Sequence, residues 1–400
     1  MNKYAVILVS LFFIAFSRRV MSQSSGIIGN LNNLVKPIKT LDPSSSFDDL
    51  EPLKKSLSGK EIVGLGEVSH GTHEVFQYKD RLIRMLVSEL GFTAIAFEAD
   101  YSTAESVNAY ISGTADSITT TGGFPLTKEF RAAFRWLREY NNSAQVKVEV
   151  FGLESRGYNN IANSILQAFS PLDQVHRAPL EKLANENYYS ITKKDIHQVK
   201  AILTDLYARA KKSNAKENMH YLDLLNQFID HEAERKSKYN GYRDEYMAEN
   251  AAWIRETTSH KKIIISAHNG HVARNNLFKH DTMGKVLNEK YPDRYYVIAT
   301  DFGEGEVSQF IKKGGKYQPD NVLYKQPEDA KVYEYYFGKL KFPNFMLNVN
   351  EATENAILKA FLSKAYKMRI IGGTDEGEFT RLAIADQFDV VIFIRETTAA

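Results

Sequence analysis

Two clusters in this sequence carry the side chains that hydrolytic chemistry needs. Glu67, Ser69, His70, His73 and Glu74 follow a short apolar run, and much later His268-Asn269-Gly270-His271 follows another, with Arg274 close behind. Glu98 and Asp100 lie between, at the end of a third apolar run. A histidine titrates near neutral pH and can take a proton from water, while a neighbouring carboxylate holds its tautomer and stabilises the imidazolium that forms. Four histidines and two glutamates gathered after strands, out of 10 histidines in the chain, point to chemistry. General base catalysis contributes about 10²- to 10⁴-fold. Oxyanion stabilisation must add to it, and His268, His271, Arg243 and Lys79 are donors available for that work. Metal binding stays open here. Glu67, His70, His73, Glu74, His268 and His271 are adequate ligands for zinc or another divalent ion, although their spacing matches neither His-Glu-x-x-His nor its inversion.

Strands have to hold these residues. Glu61–Gly66 and Thr93–Glu98 read as buried parallel-type strands. Between them Val75, Phe76, Leu82, Ile83, Leu86, Val87 and Leu90 recur at three and four, which predicts a helix from His73 to Leu90 stopped by Gly91. The result is a βαβ unit whose polar groups fall at the carboxyl ends of its strands, where open parallel sheets bind ligands. Phe47–Leu57 is expected as a short helix capped by Ser46, and Tyr101–Gly113 as another. A Gly/Thr/Ser-rich loop then runs to Pro125, and Thr127 caps a helix reaching about Tyr140. Val146–Leu153 is the third strand. Glu154 and Arg156 at its end are either a surface ion pair or part of the site. From about residue 158 to 258 strand signals fade, and helices are expected to form an all-helical insertion or cap. Within it Arg243, Asp244, Met247 and Asn250 share a helix face, where Arg243 either binds a carboxylate or bridges two helices.

Lys262–Ala267 is a strand running into the second cluster. Tyr295–Thr300, Glu306–Ile311, Val332–Phe337, Phe345–Asn348, Arg369–Ile371 and Val390–Ile394 are expected to complete the sheet, with Glu351–Ala365 as a covering helix. Asp301-Phe302-Gly303 is expected as a strand-end turn. The fold class is thus α/β, a largely parallel central sheet flanked by helices, with the helical insertion.

Composition narrows the function. At 400 residues, 43% hydrophobic and 25% charged, the chain has the make-up of a globular protein. A net charge of +2 and the lack of a long basic run give no support for nucleic-acid binding. Zero cysteines exclude disulfides, thiol nucleophiles and zinc-cysteine sites. There is no Gly-x-Ser-x-Gly elbow, because Ser69 has Glu67 two residues back, and no Gly-Lys pair is followed by Ser or Thr as a nucleotide loop requires. No cofactor is expected. Lys3 precedes the apolar stretch Ala5–Phe16, too short for an ordinary membrane-spanning helix. Residues 1–22 are therefore read as a signal peptide cleaved before Gln23, with an uncleaved membrane anchor as the alternative. The expectation is an exported protein, periplasmic or secreted, without stable membrane association after cleavage, whose residues 23–400 form the hydrolytic domain.

Gly66-Glu67-Val68-Ser69-His70-Gly71-Thr72-His73-Glu74, with Gly91-Phe92 and Phe97-Glu98-Ala99, resembles the opening signature of the erythromycin esterase family. Arg243-Asp244 with Met247 and Asn250, and Ala267-His268-Asn269-Gly270-His271, are similar to its later blocks in the same order. The resemblance implies hydrolysis of a macrolide lactone, a small-molecule ester, without a serine intermediate. His70 would be the general base, with Glu67 and Glu98 beside it and His268 and His271 completing the site. His73, Glu74, Lys79, Arg243 and Asn269 are candidates for substrate contact. The family commonly has arginine where this sequence has Lys79, which keeps the charge without the planar two-pronged donor. A second class of function is an exported binding protein for a non-macrolide ligand such as a polysaccharide.

Overall fold

The computed structural model describes residues 24–120, 126–186, 190–234, 241–374 and 377–400, so the stretch read as a signal peptide lies outside it. The strands in chain order are β1 (Lys36–Pro37), β2 (Ile62–Glu67), β3 (Ala94–Asp100), β4 (Glu149–Glu154), β5 (Ile263–His268), β6 (Tyr295–Lys313), β7 (Lys316–Tyr324), β8 (Asn344–Asn348), β9 (Tyr366–Arg369), β10 (Phe379–Leu382) and β11 (Val390–Thr397). Among the described residues, nine of them form a mixed sheet in the order β1-β8-β11-β6-β2-β5-β3-β4, with β7 on β6, while β9 and β10 pair separately. The pairs from β11 through β4 are parallel; β1, β8 and β7 are joined antiparallel.

Helices cover both faces of this sheet, which is why its central strands are apolar without interruption. In β5, Ile263, Ile265 and Ala267 enter one core cluster and Ile264 the other. On the second face lies the helix His73–Ser88, burying Val75, Phe76, Leu82, Ile83, Leu86 and Val87. Beside it is the helix Lys128–Ser143, whose first turn is capped by the Thr127 side chain accepting from the Phe130 N–H. From Tyr158 to Thr257 the described elements are all helices. Those from 158 to 234 gather around a third apolar cluster, including Ile161, Leu180, Leu203, Leu206, Leu222 and Leu225. The helix Tyr242–Thr257 behaves differently: Met247, Ala248, Ala251 and Ile254 pack into the sheet's own core. Its first turn is thereby fixed against the sheet.

Several local expectations give way to the structure. Asp301-Phe302-Gly303 does not turn, because β6 runs unbroken through it, paired with β11 with Phe393 opposite Asp301. Tyr333–Phe337 is a helix rather than a strand, since Tyr333, Tyr336 and Phe337 are buried at helical spacing. The strand expected at Arg369–Ile371 lies earlier, at Tyr366–Arg369, so that only Arg369 is shared. The covering helix is two short ones, Val349–Ala352 and Ala356–Leu362, separated at Asn355, whose side chain accepts from Ile357 and Leu358 and starts the second. Ser46 does not cap a helix either: its hydroxyl donates to Asp48, and a 3₁₀ turn at Asp48–Leu50 leads into the helix Glu51–Ser56.

Candidate active site

Register alone brings the key residues to one edge of the sheet. Glu67 ends β2 directly opposite His268, which ends β5, and Glu98 follows Phe97, the residue of β3 paired with Ser266. Carboxyl ends of three neighbouring strands thus present Glu67, His268 and Glu98 together. The turn after β2 supplies His70, and it fits only because Gly71 has no side chain: a Cβ there would stand 1.9 Å from the Ser308 carbonyl oxygen of β6.

His70 is held from one side. Its Nδ1 lies 2.8 Å from Glu67 Oε1, and the other carboxylate oxygen of Glu67 accepts from the buried Lys79 ammonium. Burial raises the Glu67 carboxyl, but the Lys79 charge and the His70 hydrogen bond prevail and bring it down to about 2. An ionised Glu67 can only accept, so His70 donates from Nδ1 and keeps the lone pair on Nε2. Burial lowers the His70 pKa; the hydrogen bond to Glu67 and the negative field of Glu98 outweigh it and leave the net shift upward. The ring is 32% exposed, and no hydrogen bond engages Nε2 among the described residues.

His268 and His271 stand differently. His268 Nε2 donates to the Ile371 carbonyl at 3.0 Å, its backbone N–H donates to Glu98 at 2.9 Å, and its ring centre is 5.2 Å from that of His70. Burial, then the charge of His70, lowers its pKa to about 4, so it is neutral with its proton on Nε2. His271 Nδ1 lies 2.8 Å from Asp244, and Arg243 donates to His271 Nε2 at 2.7 Å. Burial and the Arg243 charge oppose a charged His271 while Glu98 and Asp244 favour it. Because Nε2 accepts from the Arg243 guanidinium, the ring is neutral with its proton toward Asp244.

Arg243 ties the cluster together. It donates to Glu98 at 2.6 Å and to Glu154, and Arg156 contacts the second oxygen of Glu154 at 2.8 Å. Burial raises the Glu98 carboxyl, yet the Arg243 guanidinium holds it well below the usual range. Glu98, Glu154, Arg243, His271 and Asp244 therefore form one buried network beside the more open His70.

Other expected residues are placed elsewhere. Lys79 is 2% exposed and spends its charge on Glu67. Asn269 is fully buried, and its amide bridges to the Thr300 backbone, stitching β5 to β6. Glu74 binds Thr397 and Thr398 near the C-terminus, and His73 pairs with Glu129. Lys79 thus reaches His70 only through Glu67, and the contacts of Asn269, Glu74 and His73 do not lead to His70. Ser69 is fully buried with its hydroxyl accepting from Gly71, which is no position for a nucleophile. Asp244, named in the sequence only as sharing the helix face of Arg243, belongs to the site, and so do the Ile371 carbonyl and Gly373, whose added Cβ would lie 3.6 Å from the His70 ring and which were not singled out.

Residues 87–397 match the model of the family described as erythromycin esterase. A relative from Escherichia coli, called erythromycin esterase type II, is 26% identical over 345 residues, covering 74% of this chain and 82% of the relative. A solved Bacillus cereus protein superposes with a TM-score of 0.83 at 26% identity, covering 94% of this chain and 98% of its own. An erythromycin esterase variant solved in its open conformation shares the fold, with a TM-score of 0.67 at 17% identity over 90% of this chain and 97% of its own.

Proposed function

The chain belongs to the erythromycin esterase family, a family of hydrolases, and on that premise we propose that it opens the lactone ester of a macrolide with water activated by His70. The observation that carries this reading is the His70 ring, fixed through Nδ1 by an ionised Glu67 while Nε2 is uncommitted. A water at Nε2 loses its proton as it attacks the ester carbonyl, and Glu67 and Glu98 stabilise the imidazolium. The same proton, returned from Nε2 to the leaving alkoxide, completes the cleavage. Arg243, joined to the site through Glu98 and His271, is the cation suited to the oxyanion. Lys79 acts through Glu67, keeping it charged.

The helices from 158 to 234 are read as a cap, while the sheet-packed helix Tyr242–Thr257 contributes Arg243. The apolar stretch Ala5–Phe16 supports export, which the mass of the mature N-terminus would test: a chain beginning at Gln23 is expected, and one retaining Met1 would contradict it. The substrate is tested by mass spectrometry on a panel of macrolides and simple esters. Gain of one water by a macrolide is expected. Turnover of simple esters with every macrolide left intact would reject the macrolide and keep the esterase.

A further inference from the structure

Three ionisable side chains unused by the reaction lie completely buried beside the segment that holds His268. They are Asp301 in β6, Glu334 in the Tyr333–Phe337 helix and Arg369 in β9, each 0% exposed. The guanidinium of Arg369 does not bond either acid. Its N–H groups go to the carbonyls of Phe302, Gly303 and Lys325 and to the Glu378 carboxylate. One oxygen of each acid is satisfied by backbone: Asp301 Oδ1 accepts from Phe302 N at 2.8 Å, and Glu334 Oε1 accepts from Arg369 N at 2.6 Å. The other two, Asp301 Oδ2 and Glu334 Oε2, are buried and have no donor among the described residues.

The two acids nevertheless interact directly with each other. Two carboxylates offer only lone pairs, so the orphaned oxygens cannot bond unless a proton lies between them. One proton satisfies both and leaves a single negative charge beside Arg369. Among the described residues the surroundings hold no further cation for a second charge: β11 places Phe393 opposite Asp301, the 325–326 segment contributes the Lys325 carbonyl and the Gln326 amide, and Glu378 is already on Arg369. Burial and the neighbouring carboxylate push Asp301 well up, and burial carries Glu334 to about 7 despite Arg369.

What the pair grips leads to the active site. Glu334 holds the backbone of Arg369. Two residues on, Ile371 N donates to Val68 O in the turn before His70 and Ile371 O accepts from His268, and Gly373 O accepts from Phe310 N. We propose that Asp301 and Glu334 share one proton and act as positioning residues, that proton keeping the 369–373 segment, and through Ile371 the His268 ring, in place. The consequence for catalysis rests on the hydrolytic reading; the shared proton does not.

The test follows from linkage. The closed pair keeps a proton that separate, solvated carboxyls would release, so opening of the segment frees it. Closure then weakens as pH rises, by up to about tenfold per pH unit between roughly pH 5 and 7. Hydrogen exchange of the full chain, corrected for intrinsic rates, should show protection of residues 369–373 falling at that slope. In Glu334→Gln, Oε1 still accepts from Arg369 N while the amide donates to Asp301, so the segment stays closed and its protection becomes flat with pH. Asp301→Asn should behave alike and serves if the first variant does not fold. A flat wild-type profile, or an unchanged slope in the folded variant, overturns the proposal. Failure of every ester in the panel would reject the hydrolytic reading without touching this result.

Discussion

His70 with Glu67 and His271 with Asp244 are the same pairing at the same 2.8 Å, yet they are built for different work. In the first the far nitrogen is uncommitted and the ring is 32% exposed; in the second it accepts from Arg243 and the ring is 11% exposed. A histidine-carboxylate pair is therefore not by itself a catalytic base. What distinguishes the two is whether Nε2 is left available to water, and the Arg243 network uses it up on one side of the site only.

Breaking that network should give the largest loss of stability. Arg243→Ala strands Glu98 and Glu154 as buried charges and is expected to cost about 3–5 kcal/mol, read from denaturant unfolding. Next comes Glu67→Gln, which removes the anion behind the base; kcat/KM should fall by roughly 100-fold, within the range general base catalysis commands. The pH profile sharpens the same point. His70 must be neutral to accept a proton, so wild-type kcat/KM should climb with pH through a value above 6.5, and the climb should move to lower pH in Glu67→Gln as one raising influence disappears. Asp244→Asn leaves a neutral acceptor for His271 and should cost only about 1–2 kcal/mol of stability, with kcat/KM within about tenfold of wild type. Smallest should be Lys79→Arg, which keeps the charge beside Glu67; kcat/KM changing by less than about tenfold is expected, and a larger loss would mean that Lys79 does more than hold Glu67.

Much of this arrangement was legible before the structure. Strand ends are marked by apolar runs that stop at charged residues, and parallel sheets place such ends together, so Glu67, Glu98 and His268 could be nominated from one line of sequence. The helix carrying Arg243 was legible as a helix, but its sheet-side packing depends on Met247, Ala248 and Ala251 meeting strands distant in sequence. That long-range contact separates a site arginine from a helix bridge. Ile371 and Gly373 left no trace because the site uses a main-chain carbonyl and an empty Cβ position, neither of which has a side-chain type to read. Asp301 was misread for a related reason. Gly303 signals a turn locally, whereas pairing with β11 carries the strand straight through.

The most direct measurement compares His70→Gln with His271→Gln on an ester that the wild type hydrolyses, recording kcat/KM and the unfolding midpoint of each. His70→Gln should lose about 10²- to 10⁴-fold in kcat/KM while its midpoint stays at the wild-type value, and His271→Gln should lower the midpoint. A folded His70→Gln that keeps kcat/KM within about tenfold of wild type would contradict the assignment of His70 as the base.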